Sequence, residues 1–263
     1  MNFYVEAAGT LAPGLTDWGE ACAVLTGQRP YQPAPLQAPR VDLLPPAERR
    51  RTGMPVKLAI AVGQQALSGA GIDAAELSTV FCSSGGDGEV LHEICSALAG
   101  PEREISPTRF HNSVQNAPAG YWGIATRSFA PSTSLGCYDW SFPAGLIEAG
   151  AQLATDCERV LLLCFDAPYP EPLASARPIN TAFACSALLS SRPGAKAIAR
   201  LHLEMTDGER ASPMPDPELE QLRLGNPAAR ALPLLAALAA RREARVTLEY
   251  VGGRRLAVDV APC

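Results

Sequence analysis

Cys137 and Asp139 stand where a chain of this pattern would place its chemistry. Cys137 follows a predicted strand over 132–136 and precedes a predicted helix over 142–153, the usual setting for a nucleophile on a strand-to-helix turn. A thiolate there gains from the helix dipole. Upstream, His111-Asn112-Ser113-Val114-Gln115-Asn116 is unusually polar for a segment that leads into an apolar helix. It reads either as an N-cap by Asn112 or Ser113 beside a hydrogen-bonded His111, or as a functional surface. Ser83-Ser84-Gly85-Gly86-Asp87-Gly88 joins a strand to a helix, where backbone amides can cradle phosphate. It lacks the GK[ST] ending of a P-loop, and an aspartate at the helix mouth repels an anion, so it reads as a tight turn with a helix cap.

The elements that must position these residues alternate. A strand over 2–10 is followed by a helix that Thr16 or Asp17 caps and that runs to Leu25. Residues 29–46 hold six prolines, which excludes a helix interior or central strand and predicts an extended surface segment. A basic turn opens at Pro46, and an amphipathic helix over 54–70 follows, with Val56, Ile60, Gly63 and Leu67 on one face. Then come a strand over 77–83, helices over 89–98 and 113–127, and an apolar strand over 159–165. Gly120 and Gly123 give the 113–127 helix a face for close packing. Strands near 181–190 and 199–206, a helix over 227–241 and a hairpin turning at Gly252-Gly253 complete the chain. The alternation through the first 165 residues predicts a parallel-type sheet covered by helices.

Composition narrows the function. With 22 basic and 27 acidic residues the net charge is -5, which argues against a nucleic-acid binder. The longest apolar run, 231–240, is ten residues, whereas a membrane span needs about 20. No secretory signal is visible at Met1. The eight cysteines form no CxxC pair and the histidines His92, His111 and His202 are dispersed, so no structural zinc and no cofactor are expected. Cys82, Cys137, Cys164 and Cys185 lie in or beside apolar stretches, where cysteine acts as a small hydrophobe. The expectation is a reduced, cytoplasmic protein without a membrane span.

In order and spacing, Asn116-Ala117-Pro118-Ala119-Gly120-Tyr121-Trp122, Pro131-Ser132-Thr133-Ser134 and the segment 149–166 resemble the β-ketoacyl synthases of the thiolase-like fold. The resemblance covers about residues 45–190. It implies an α/β, thiolase-like layered fold whose N-terminal ketosynthase-like half is complete and whose C-terminal half is reduced. The chain 1–263 then reads as a single domain, with 191–225 a loop or insertion and 226–263 a helix plus hairpin. In that family a helix beginning N-x-x-A-G precedes a strand whose terminal cysteine carries the acyl chain. Gapless counts forward from Gly120 and back from Val160 both reach position 139, so Asp139 occupies the nucleophile position and Cys137 falls two residues early. In an extended strand the two side chains would share a face. The family's C-terminal half supplies two catalytic histidines, or a histidine and an asparagine. Here the residues after Asp166 include one histidine, His202.

The combination resembles the chain-length-factor subunits, non-catalytic relatives that dimerise with an active ketosynthase. The motifs His111-Asn112, Asn116 to Trp122 and Leu162 to Pro168 are similar to the short forms of aryl-polyene-type, type II polyketide or fatty-acid systems. This implies a subunit that is not an enzyme on its own, a catalytic ketosynthase partner in a heterodimer, and an acyl carrier protein delivering substrate. It also implies an acyl channel bounded by both subunits, near Phe110, His111, Val114, Asn116, Cys137, Tyr138, Asp139 and Trp140. The alternative is an autonomous cysteine acyltransferase using Cys137.

Overall fold

The described residues form eight strands, the central ones buried on both faces: β1 (Asn2–Leu11), β2 (Ser78–Cys82), β3 (Ser132–Leu135), β4 (Arg159–Asp166), β5 (Phe183–Ser190), β6 (Ala199–Thr206), β7 (Ala244–Glu249) and β8 (Arg255–Pro262). They form one mixed sheet in the order β3-β2-β4-β5-β1-β6-β8-β7. The helices are α1 (Trp18–Leu25), α2 (Pro46–Arg49), α3 (Met54–Leu67), α4 (Gly88–Ala99), α5 (Pro107–Asn112), α6 (Ala117–Thr126), α7 (Ser141–Thr155), α8 (Leu173–Ala176), α9 (Pro217–Gly225) and α10 (Leu232–Ala240). The computed structural model describes every residue except 69 and 156, so the predicted end of the 54–70 helix includes a position outside the described residues.

β4 shows how the sheet holds its helices. Val160, Leu162 and Cys164 point into a core made with α1, α7 and α10, while Leu161, Leu163 and Phe165 point into a core made with α3 and α6. Each fully buried leucine of this strand contributes about 1.5–3 kcal/mol. α3 starts at Pro55 in its first turn and lies across β1, β4 and β5. Its Gly63 is required by close approach, because a Cβ there would come within 2.6 Å of the Trp122 ring. On the other face Cys82, Cys164 and Cys185 sit side by side across β2, β4 and β5, all at most 2% exposed. All eight cysteines are free thiols.

The layered α/β, thiolase-like fold is present, in a chain of 263 residues, and its reduced part is visible in the layers. Strands β6, β8 and β7 bury Leu201, Leu203, Val246, Leu248, Leu256, Val258 and Val260 on one face. Their other face carries Arg200, His202 and Glu204 toward solvent.

Several expectations need correction. β2, β3 and β4 form the expected parallel set, but β1, the first strand of that stretch, lies outside it and pairs antiparallel with β5 and β6; β4 with β5, β6 with β8 and β7 with β8 are antiparallel too, so the sheet as a whole is mixed. The 191–225 segment contains β6 and α9; Asp216 starts α9 by accepting the Glu218 and Leu219 amides. The helix expected over 113–127 is α6, which starts only at Ala117; a short unexpected helix, α5, precedes it, and Asn112 ends α5 rather than capping α6. The C-terminal hairpin closes through residues 250–254, because Val251 to Gly253 curl into a short 3-10 turn.

Candidate functional site

The carboxyl ends of β2, β3 and β4 converge on one polar joint. Asp166, 1% exposed at the end of β4, accepts the Ser83 hydroxyl at 2.9 Å and the Ser84 amide at 2.8 Å through Oδ1. Ser83 Oγ in turn accepts the Gly86 amide at 3.0 Å, which curls the segment after β2 into the entry of α4. Asp87 then caps α4 by accepting the Val90 amide. A Cβ at Gly85 would collide with the Tyr169 hydroxyl, so only glycine lets Tyr169 close over this turn. Asn226 ties in the C-terminal region by donating to the carbonyl oxygens of Asp166 and Thr181. Burial pushes the Asp166 carboxyl up to about 6, against the hydrogen bonds from Ser83 and Ser84. Its Oδ2 has no hydrogen-bond partner.

The turn between β3 and α7 carries the candidate chemistry. Ser141, fully buried at the start of α7, accepts the Cys137 amide at 3.0 Å and donates to the Tyr138 carbonyl at 2.8 Å. Tyr138 takes a left-handed conformation at φ 53°, a strained choice for a non-glycine residue. Residues Tyr138 to Trp140 form a 3-10 turn, so Cys137 and Asp139 are not on one face of an extended strand. The expected register relation between them therefore does not hold. Asp139 Oδ1 accepts from Arg177 Nη2 at 2.8 Å. The Arg177 guanidinium also lies 3.5 Å over the Tyr138 ring, and Tyr138 contacts Trp140 with ring centroids 6.2 Å apart. Burial is the largest single influence and would lower the Arg177 pKa, but the hydrogen bond and charge of Asp139, with Tyr138 and Tyr169, together hold the guanidinium above its ordinary value.

A nucleophile–base pair is not assembled around Cys137. Among the described residues His92 lies beside Ser96 on α4, His111 stands edge-on to Tyr121, and His202 contacts Asn2 across β6 and β1. An acyl-transferring thiolate needs an adjacent base or cation and donors for the oxyanion. Arg177, the cation that meets this turn, is engaged by Asp139.

The other expected site residues lie at a second place. Phe110 is 65% exposed at the end of α5, with His111 and Val114 also exposed; Phe110 is thus no core anchor. Arg109 pairs with Glu93, and buried Asn112 donates to the Arg51 carbonyl at 2.7 Å while accepting the Tyr121 hydroxyl at 3.0 Å. These bonds fix the α5–α6 corner and leave its apolar tip in solvent. Asn116 sits at the start of α6 without a side-chain cap bond. Gln115 links the two places: it donates to the Ser83 carbonyl at 3.1 Å and packs against Gly136.

Sequence reasoning missed Arg177 and Phe129, and marked Gln115 only as part of the polar segment 111–116. Arg177 is a solitary cation in a proline-bearing loop and meets Asp139 only through the fold. Phe129 is signalled by an aromatic residue set between Ser128 and the Ala130-Pro131 turn. It is fully exposed, beside a cleft of about 1030 Å³ between α6 and β3.

Three comparisons bear on this architecture. No curated protein sequence matches the chain. Among solved structures, it aligns over 98% of its length, and 99% of the other chain, with TM-score 0.75 and 22% identity, to the complex of the ketosynthase ApeO with its chain length factor ApeC from Xenorhabdus doucetiae. It aligns over its whole length and 99% of the other chain with the AntDE:AntF complex, a type II polyketide synthase acyl-carrier protein with its hexaketide-bound ketosynthase (TM-score 0.78, 12% identity). The ishigamide ketosynthase/chain length factor gives TM-score 0.74 at 13% identity, over the whole chain and 99% of its counterpart. A family model for the N-terminal domain of β-ketoacyl synthases matches residues 25–250. With that match spanning most of its length, the chain belongs to the β-ketoacyl synthase N-terminal domain family.

Proposed function

We propose that this protein is a non-catalytic chain-length-factor partner of a β-ketoacyl-acyl carrier protein synthase, working in the cytoplasm on aryl polyenes or related type II polyketide or fatty-acid chains. The observation that carries this reading is Asp139. Its carboxylate occupies the turn where the family carries its nucleophile, and Arg177 holds it there at 2.8 Å. A carboxylate neutralised by a guanidinium neither attacks a thioester nor retains an acyl group. Catalysis then belongs to a second subunit, to which an acyl carrier protein brings substrate.

What remains for this chain is shape. The tip formed by Phe110, His111 and Val114 projects from the α5–α6 corner and in this reading lines the partner's acyl channel. A growing chain gains about 0.8 kcal/mol per buried methylene while space remains. Contact with a packed wall costs about 1–3 kcal/mol, which reverses that gain. A rigid tip therefore measures length by sterics alone.

The test is co-expression with the full-length ketosynthase of the same genome. The complex forms products that the ketosynthase alone does not. Cys137→Ala leaves turnover within about tenfold of wild type, whereas loss of a true nucleophile would remove several orders of magnitude. Phe110→Ala lengthens the products with the heterodimer intact. A covalent acyl adduct on Cys137 would instead establish the autonomous acyltransferase.

A further inference from the structure

The tip that carries Phe110, His111 and Val114 turns on a link of four residues, 113–116, between α5 and α6. Local bonds shape this link. The Phe110 carbonyl accepts the Ser113 amide at 3.2 Å and the Ser113 hydroxyl at 2.8 Å, and the Val114 carbonyl accepts the Ala117 amide at 3.0 Å. Such bonds move with the corner and do not fix its height against the sheet. On the α5 side Asn112 does so, through the Arg51 carbonyl and the Tyr121 hydroxyl. Among the described residues of the link, Gln115 alone reaches the end of β2 by a side-chain hydrogen bond, its Nε2 donating to the Ser83 carbonyl at 3.1 Å. Val114, half exposed, lies between these two anchors.

The receiving carbonyl is held firmly. Ser83 is 2% exposed, its amide donates to the Leu135 carbonyl at 3.3 Å, its hydroxyl donates to Asp166, and its Oγ accepts the Gly86 amide. Two glycines make room for the Gln115 carboxamide. A Cβ at Gly86 would lie 3.1 Å from Gln115 Oε1, and one at Gly136 would lie 3.4 Å from Nε2 and 3.0 Å from the Ser83 oxygen. The amide therefore sits between the turn after β2 and the turn after β3. Gln115 is nevertheless exposed, so this single bond adds little to the stability of the isolated chain. What it supplies is the position of its neighbour.

We propose that Gln115 is the positioning residue of the length measurement: it ties the Val114 half of the wall to the Ser83 carbonyl, so that the wall keeps its height while a growing chain presses on it. This rests on the chain-length-factor reading and adds to it what holds the wall in place. One net hydrogen bond is of the same size as the gain from one more buried methylene, so its loss changes how far the wall yields. Phe110, held through Asn112, and Val114, held through Gln115, are two separately anchored halves.

The experiment compares heterodimers of the full-length chain with the full-length ketosynthase, reading carrier-bound products by mass spectrometry. Gln115→Met keeps the bulk and loses the donor. Products longer than the wild-type main product rise about fivefold relative to it, the scale of one net hydrogen bond. Gln115→Glu, whose carboxylate repels the Ser83 carbonyl, raises them further. Melting temperature and ketosynthase affinity stay at wild-type values in both, which a structural role would not allow. On a Val114→Ala background Gln115→Met adds nothing, because the side chain it positions is gone. A Gln115→Met product distribution equal to wild type, with Phe110→Ala still lengthening products, overturns the positioning role and leaves the functional reading standing. An additive effect on the Val114→Ala background overturns it as well, as does a Gln115→Met complex that falls apart. Products unchanged by Gln115→Met and by Phe110→Ala alike overturn the functional reading, and the positioning role with it.

Discussion

The two ends of the sheet are built oppositely. At the β7 end, residues of the preceding loop close the edge: the Thr247 carbonyl accepts the Ser212 amide at 2.8 Å, and the Thr247 amide donates to Ser212 Oγ at 3.0 Å. Arg245 lies along the same edge and bonds Asp259, Glu209 and Glu204 at 2.9–3.5 Å. Covered backbone and inserted charges are the usual ways in which sheets avoid pairing with strangers. At the β3 end there are four residues, Ser-Thr-Ser-Leu, without a charge and without a covering loop. One sequence thus guards one edge and leaves the other open, so the open edge is specified rather than left over.

The largest expected effect attacks the open edge directly. Ser134→Pro removes an outward amide but none of the β2–β3 bonds, so binding to the ketosynthase falls at least about 100-fold while the isolated chain still folds. Titration of the complex by calorimetry reads this, and unchanged affinity would remove strand pairing from the interface.

A second contrast is electrostatic: at the carboxyl end of β4 the ionisable group is buried, and beside β7 the charges are in water. With its carboxyl raised from 3.8 to about 6, Asp166 favours the protonated folded state. Its contribution to stability is therefore full below about pH 4 and is lost as pH rises through 6, a difference of about 3 kcal/mol. Asp166→Asn should recover that amount at pH 8 and change little at pH 4. Chemical denaturation at both pH values checks the sign; equal effects at the two would show that the group does not titrate in this window.

The smallest effect concerns the guarded edge. Replacing Arg245 and Glu209 together by alanine exposes β7, and light scattering should show concentration-dependent association of heterodimers, with the melting temperature close to wild type. An assembly that stays a heterodimer would mean that the Ser212 loop suffices as the guard.

Much of this was legible from the residues. The unbroken apolar run in 159–165 located β4, the spacing of Val56, Ile60 and Gly63 located α3, and β6 fell at the expected 199–206. Local pattern reports burial, however, and not neighbours. Nothing local tells β1 to lie between β5 and β6, and the corner ahead of α6 is held from afar, by Asn112 bonding to the Arg51 carbonyl. The register count placed Asp139 on the turn before α7, yet Arg177, which neutralises it, reaches it through the fold from a loop without a signature. The gap between a plausible cysteine and an occupied carboxylate turn is therefore a tertiary fact.

The row of thiols across β2, β4 and β5 gives the molecule a clock. Cys95 and Cys263 face solvent and react with an alkylating reagent at once, whereas Cys82, Cys164 and Cys185 are reached when the three strands part. Labelling of those three together reports the opening frequency of the central sheet, read by mass on the native sequence without any probe added. Docking of a partner on β3, one strand away from Cys82, then registers as a slowing of that clock.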